Sequence, residues 1–128
     1  MGARMTTSAM VLFAHGARSA GWAAPFERLR ALTAARLPDV TVALAFLELM
    51  TPRLPELVAE LAATGHGRVT VVPVFLGQGG HVLRDLPLLI AGLRAAHPGL
   101  VIEVVEAVGE NAQVLGAIAD YCVGAQKI

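Results

Sequence analysis

Four short apolar runs alternate with four stretches whose apolar residues recur at helical spacing. The runs cover residues 9–14, 40–47, 68–76 and 100–105, and each is short enough to be a buried strand. In the first helical stretch, residues 22–37, Phe26, Leu29, Thr33 and Leu37 share a face, and Trp22 packs at its head. In the second, Leu54, Leu57, Val58 and Leu61 fall at i, i+3, i+4 and i+7. Thr51-Pro52 opens that helix, Pro55 marks its latest start, and Gly65 and Gly67 close it. The third carries Leu86, Leu89, Ile90 and Leu93, with Asp85 and Pro87 in its first turn. The fourth follows Gly109 and Asn111 and turns Val114, Leu115, Ile118 and Cys122 inward. Pro73 is awkward inside a central strand and predicts a bulge or an unpaired position.

Nearly continuous apolar strands between helices predict an α/β fold, a four-stranded parallel sheet flanked by helices in a three-layer sandwich. Right-handed crossovers leave few topologies, and the favoured strand order is 2-1-3-4. Strands one and three are then neighbours, and the chain winds away from them in opposite directions. Sheets of this kind bind ligands at that switch point, beyond the carboxyl ends of the strands. The 128 residues, 55% of them apolar, suit a single domain, with residues 1–8 as an extension before the first strand.

The candidate chemistry collects at that edge. His15 ends the first apolar run and is followed by Gly16, which permits a sharp turn, and by Arg18, which could anchor a carboxylate or phosphate. His81 follows the third run across the glycine loop Gly77-Gln78-Gly79-Gly80, which leaves room for a flat or bulky ligand. Neutral imidazole is a common ligand for divalent transition metals. Glu48, just past the second run between Leu47 and Leu49, is a proton acceptor candidate, because apolar neighbours favour the neutral carboxyl. Arg53, Arg84 and Asp85 are rim candidates, and the arginines suit an acidic substrate. Each of these positions also has a plain structural reading, as a cap, a connector or a solvated charge. His66 and His97 fall in turns at the opposite edge and read as surface residues, whereas Cys122 reads as core.

A formal net charge of zero argues against nucleic acid or an anionic membrane as partner. No apolar stretch is long enough to span a bilayer, and the one near the N-terminus is shorter than a secretion-signal core. One cysteine permits neither an intrachain disulfide nor a thiolate cluster, which fits the cytoplasm. The chain carries no P-loop, no GxGxxG after the first strand and no GxSxG elbow, so ATP, NAD and a serine nucleophile are not expected.

Several segments together resemble a known family. They are Leu12-Phe13-Ala14-His15-Gly16-Ala17-Arg18, Ala45-Phe46-Leu47-Glu48 and Thr51-Pro52-Arg53-Leu54-Pro55. The most specific runs from Val72-Pro73-Val74-Phe75-Leu76 through Gly79-Gly80-His81-Val82 to Asp85-Leu86-Pro87. In this order, over roughly residues 9–122, they resemble the short class II chelatases of tetrapyrrole synthesis, the small CbiX type of sirohydrochlorin cobaltochelatase. The resemblance implies a chelatase-like homodimer that inserts a divalent metal, Co²⁺ favoured, into sirohydrochlorin without ATP, for cobalamin or siroheme synthesis. No cofactor beyond the metal ion is implied. The metal-binding histidines of the family map onto His15 and His81, and its acidic residue onto Glu48. Ala17 stands where serine is frequent, and Gly109-Glu110-Asn111 lacks a histidine often found there, which puts a third imidazole ligand in doubt.

The rival readings are iron or nickel insertion by the same fold, a non-catalytic metal or tetrapyrrole carrier, and a phosphohistidine enzyme using His15 and Arg18. The last is disfavoured because Ala14, not arginine, precedes His15.

Overall fold

The computed structural model describes residues 7–77 and 79–127, without the side chains of His81 and Leu83. Most of the expected extension, residues 1–6, and Gln78 of the glycine loop lie outside the described residues. The strands are β1 (Thr7–Ala14), β2 (Val40–Phe46), β3 (His66–Pro73) and β4 (Val101–Val104). The helices are α1 (Ala24–Arg36), α2 (Leu54–Ala63), α3 (Gly80–Ala96) and α4 (Ala112–Ala125). Short 3-10 turns, Ala20–Ala23 and Val108–Glu110, precede α1 and α4.

All three strand pairings are parallel, and the order is β2-β1-β3-β4, the one favoured among those the crossover rule allows. β1 is therefore covered on both edges, Leu12 pairing with Leu44 on one side and Val72 on the other. Its alternating side chains feed two cores. Ala9, Val11 and Phe13 join Val69 and Val71 of β3 under Leu54, Leu57, Val58 and Leu61 of α2 and Ile90 and Leu93 of α3. Ala14 faces the other way and packs with Phe46, Ala23, Trp22 and Phe26. Trp22 and Phe26 stack at 4.6 Å between ring centroids, as expected of a packed helix head.

Several boundaries differ from expectation for identifiable reasons. β1 starts at Thr7, inside the expected extension. α2 is preceded by Arg53, not capped by Thr51, and Pro55 sits in its first turn. Pro73 is the last residue of β3, so its missing N–H interrupts no ladder; Val74 resumes pairing by donating to the Phe13 carbonyl at 2.8 Å. α3 starts at Gly80, well before Asp85, and Pro87 lies inside it. The glycine run masked that early start, because glycine reads as loop. His66 is not a free surface residue. It opens β3, and its Nε2 lies 2.9 Å from Thr41 Oγ1 while its Nδ1 lies 3.0 Å from the Leu61 carbonyl.

The largest correction concerns α4. Asn111 caps it, its side chain accepting from Gln113 N at 3.0 Å and Val114 N at 3.1 Å. Yet α4 buries no residue. Leu115 and Ile118 are exposed, Tyr121 and Val123 more so, and Cys122 is a free exposed thiol rather than core. The apolar stripe is present, but within one chain its main neighbour is the turn before it. Val101 and Val105, in and just after β4, are exposed as well. No described helix is long and apolar enough to cross a membrane.

Candidate functional site

His15 is the first residue beyond β1, and Glu48 lies two residues beyond β2. Hydrogen bonds between the two segments continue past both strand ends. Leu47 N donates to the Ala14 carbonyl at 2.9 Å, and Glu48 N donates to the His15 carbonyl at 3.1 Å. This register sets the two side chains side by side, with His15 Nε2 3.0 Å from Glu48 Oε1. With Nε2 carrying its proton and donating to the carboxylate, Nδ1 keeps a lone pair. The environment is not the apolar one expected for Glu48: its side chain is 47% exposed and that of His15 45%.

Gly16 is required twice over. Its φ is +97°, a region closed to most side chains, and a Cβ there would lie 1.8 Å from the Glu48 carbonyl oxygen. The missing side chain thus lets the loop after β2 settle onto the turn after β1. Phe75, buried beyond β3, meets the His15 ring edge-on at 6.3 Å and the Phe13 ring at 5.6 Å, which links the histidine to the core.

His81 is the second residue of α3, at the same carboxyl edge, and its side chain lies outside the described residues. Gly79 is the N-cap of α3. A Cβ at Gly77, Gly79 or Gly80 would meet nothing within 4 Å, so packing within the chain does not demand glycine there. Arg18, Arg53 and Arg84 are all exposed. Arg53 is fixed through its backbone, in an isolated bridge with Phe46 beside the N-terminus of α2. Among the described residues no three His, Cys, Asp or Glu side chains form a metal-sized group. A cleft of about 460 Å³ along α1, lined by Leu29, Leu32, Thr33, Arg36 and Leu37, shares no residue with this edge. A second cleft, of about 480 Å³, reaches the end of β2 through Phe46, Thr51 and Pro52.

Two supports escaped the sequence. A Cβ on Gly109 would lie 1.8 Å from the Leu76 carbonyl oxygen, and Gly109 N donates to the Phe75 carbonyl at 3.0 Å. The turn before α4 therefore buttresses the end of β3. Leu49, next to Glu48, has a left-handed backbone with φ +68°. Neither has a local sequence signal beyond an isolated glycine and one apolar residue at a strand end.

Comparison with known proteins identifies the family and the fold. The CbiX family model matches residues 9–122. A sirohydrochlorin cobaltochelatase of Methanopyrus kandleri is 34% identical over 82 residues, 64% of this chain and 57% of that protein. Another, of Methanocaldococcus jannaschii, is 32% identical over 89 residues, 70% of this chain and 62% of that protein. The matched stretches thus span under two thirds of these relatives' own length. The crystal structure of a putative cobalamin biosynthesis CbiX protein from Marinobacter aquaeolei superposes with a TM-score of 0.80 at 34% identity, over 91% of this chain and 95% of that one. The sirohydrochlorin chelatase SirB from Bacillus subtilis subspecies spizizenii, solved with cobalt, shares the fold with a TM-score of 0.78 at 21% identity; the match takes in 94% of this chain and 51% of SirB. With the family model matched along nearly its whole length and a solved relative matched almost end to end, the chain belongs to the CbiX family.

Proposed function

We propose that this protein inserts a divalent metal ion, Co²⁺ foremost, into sirohydrochlorin without ATP. The observation that carries the reading is the His15–Glu48 pair, a metal-competent imidazole and a carboxylate 3.0 Å apart at the ligand-binding edge of a parallel sheet. The metal is a substrate here, and the reaction calls for no other cofactor.

Insertion exchanges two pyrrole N–H protons for one M²⁺. His15 and His81 hold the ion through imidazole nitrogens, which suit Co, Ni or Fe and release it more readily than thiolates would. Glu48 orients His15, and the two departing protons pass to Glu48 and to a histidine once it has released the metal. The open ground around Gly79 and Gly80 admits the macrocycle, whose carboxylates meet Arg18, Arg53 and Arg84. Bringing ion and ring together, and stripping water from the ion, supplies most of the acceleration.

The protein works as a homodimer in this reading. Among the described residues α4 buries none and carries an exposed apolar stripe, Val101 and Val105 are uncovered, and one copy spans only about half of a SirB chain. A second copy covering these surfaces removes an apolar patch that a monomer would expose to water. The one cysteine, a free exposed thiol, is compatible with the reducing cytoplasm.

The test is anaerobic insertion into sirohydrochlorin followed by absorbance, with Co²⁺, Fe²⁺ and Ni²⁺ compared and His15→Ala and His81→Ala as controls. Acceleration that is lost in both variants supports the reading and ranks the metals. Binding of both substrates without acceleration would make the protein a carrier.

A further inference from the structure

We propose that Leu49 is a substrate-positioning residue, an apolar contact for the face of the tetrapyrrole beside His15. The proposal rests on the function proposed above and names a residue that neither the metal nor the proton chemistry requires. Its origin is a conflict between this residue and the fold. Leu49 has φ +68°, in the left-handed region that glycine and asparagine occupy with less strain and that a branched aliphatic residue rarely adopts. It is also 55% exposed, so its burial repays little of that strain. Local conformation and solvent exposure both argue for a small or polar residue, and the chain carries leucine. Strain of this kind collects at functional sites, where it serves something other than folding.

The neighbours place the residue. Leu47 packs against the core under α2 and α3, and Met50 packs against the smaller core under α1. The chain is thus anchored to opposite faces of the sheet on either side of Glu48 and Leu49. Between those anchors the two residues form a crest at the carboxyl edge, Leu49 exposed and Glu48 about half exposed. Glu48 reaches His15 from that crest, with its own backbone N–H on the His15 carbonyl. On the other flank of β1, Leu76 follows β3, is 64% exposed, and has its backbone packed against Gly109. Since β1 lies between β2 and β3, the exposed leucines bracket the strand that ends at His15. A flat, largely apolar ring with charged substituents is the chemistry that such a frame fits: leucines for the ring, exposed arginines for the carboxylates, imidazole for the ion.

The experiment uses Leu49→Gly, Leu49→Asn and Leu49→Met in the full chain. Four quantities are read: thermal midpoint, sedimentation, quenching of sirohydrochlorin fluorescence without metal, and steady-state insertion at saturating Co²⁺. Glycine and asparagine should keep or raise the thermal midpoint, because they relieve the backbone. They should also weaken sirohydrochlorin binding and raise KM about tenfold, as expected for one lost apolar contact, with kcat within about twofold. Leu49→Met should restore both constants.

Unchanged binding and KM in Leu49→Gly, beside an active wild type, would overturn this proposal alone. So would a lowered thermal midpoint with unchanged KM, which marks a structural residue, or a shift from dimer to monomer, which marks a subunit contact. A wild-type protein that neither binds nor metallates sirohydrochlorin would overturn the proposed function and this inference together.

Discussion

His15 Nε2 and Glu48 Oε1 lie 3.0 Å apart although 33 positions separate the residues in sequence, and both side chains remain about half exposed. The parallel pairing of β1 with β2 brings them together, and their exposure leaves both open to a ligand. Glu48→Gln keeps the shape and a hydrogen-bonding oxygen but removes the carboxylate proposed as proton acceptor. Insertion should slow by about 10²-fold in kcat with KM nearly unchanged, as measured by steady-state absorbance. An unaltered kcat would remove Glu48 from the chemistry.

Gly16→Ala tests how the pair is built. A Cβ would enter the Glu48 carbonyl at 1.8 Å from a residue with φ +97°. The expected cost is at least about 2 kcal/mol in urea unfolding. Insertion should also fall in the protein that remains folded, because the loop bearing Glu48 must move off the turn bearing His15.

The metal ligands have their own test. In the proposed site His15 and His81 hold the ion, so His15→Ala and His81→Ala should each weaken Co²⁺ affinity measured by titration without tetrapyrrole. An unchanged affinity in either variant would remove that histidine from the metal site.

The apolar stripe of α4 gives a separate test. Ile118→Asp with Leu115→Asp places charge on exposed positions, so the monomer should lose little stability. Sedimentation should nevertheless shift from dimer toward monomer. A monomeric wild type would leave the stripe without this partner.

At the opposite edge, Thr41→Val removes the hydroxyl 2.9 Å from His66 Nε2. The expected loss is about 1 kcal/mol of stability with unchanged insertion kinetics, because the bond ties the start of β3 to β2 far from the carboxyl ends.

Sequence alone was enough to determine the four β/α units, the parallel sheet and the edge at which His15 and Glu48 lie. Short apolar runs and period-3.6 patterns are local, and the handedness of crossovers leaves little choice in joining them. Phe13 and Val71 could be read as core because their whole strands are apolar. The start of α3 at Gly80 was not legible, since a glycine run carries no helical signal and the helix tolerates it only within the folded context. The burial of α4 was not legible either. An amphipathic stripe states that a helix seeks an apolar partner, and it does not state whether that partner lies in the same chain. Tertiary structure alone decided that His15 meets Glu48, that Gly16 must be glycine because a carbonyl 32 positions away occupies its side-chain space, and that Leu49 turns left-handed between two cores. Those facts depend on the register between strands, which is set by packing across the whole sheet and is written in no single stretch of residues.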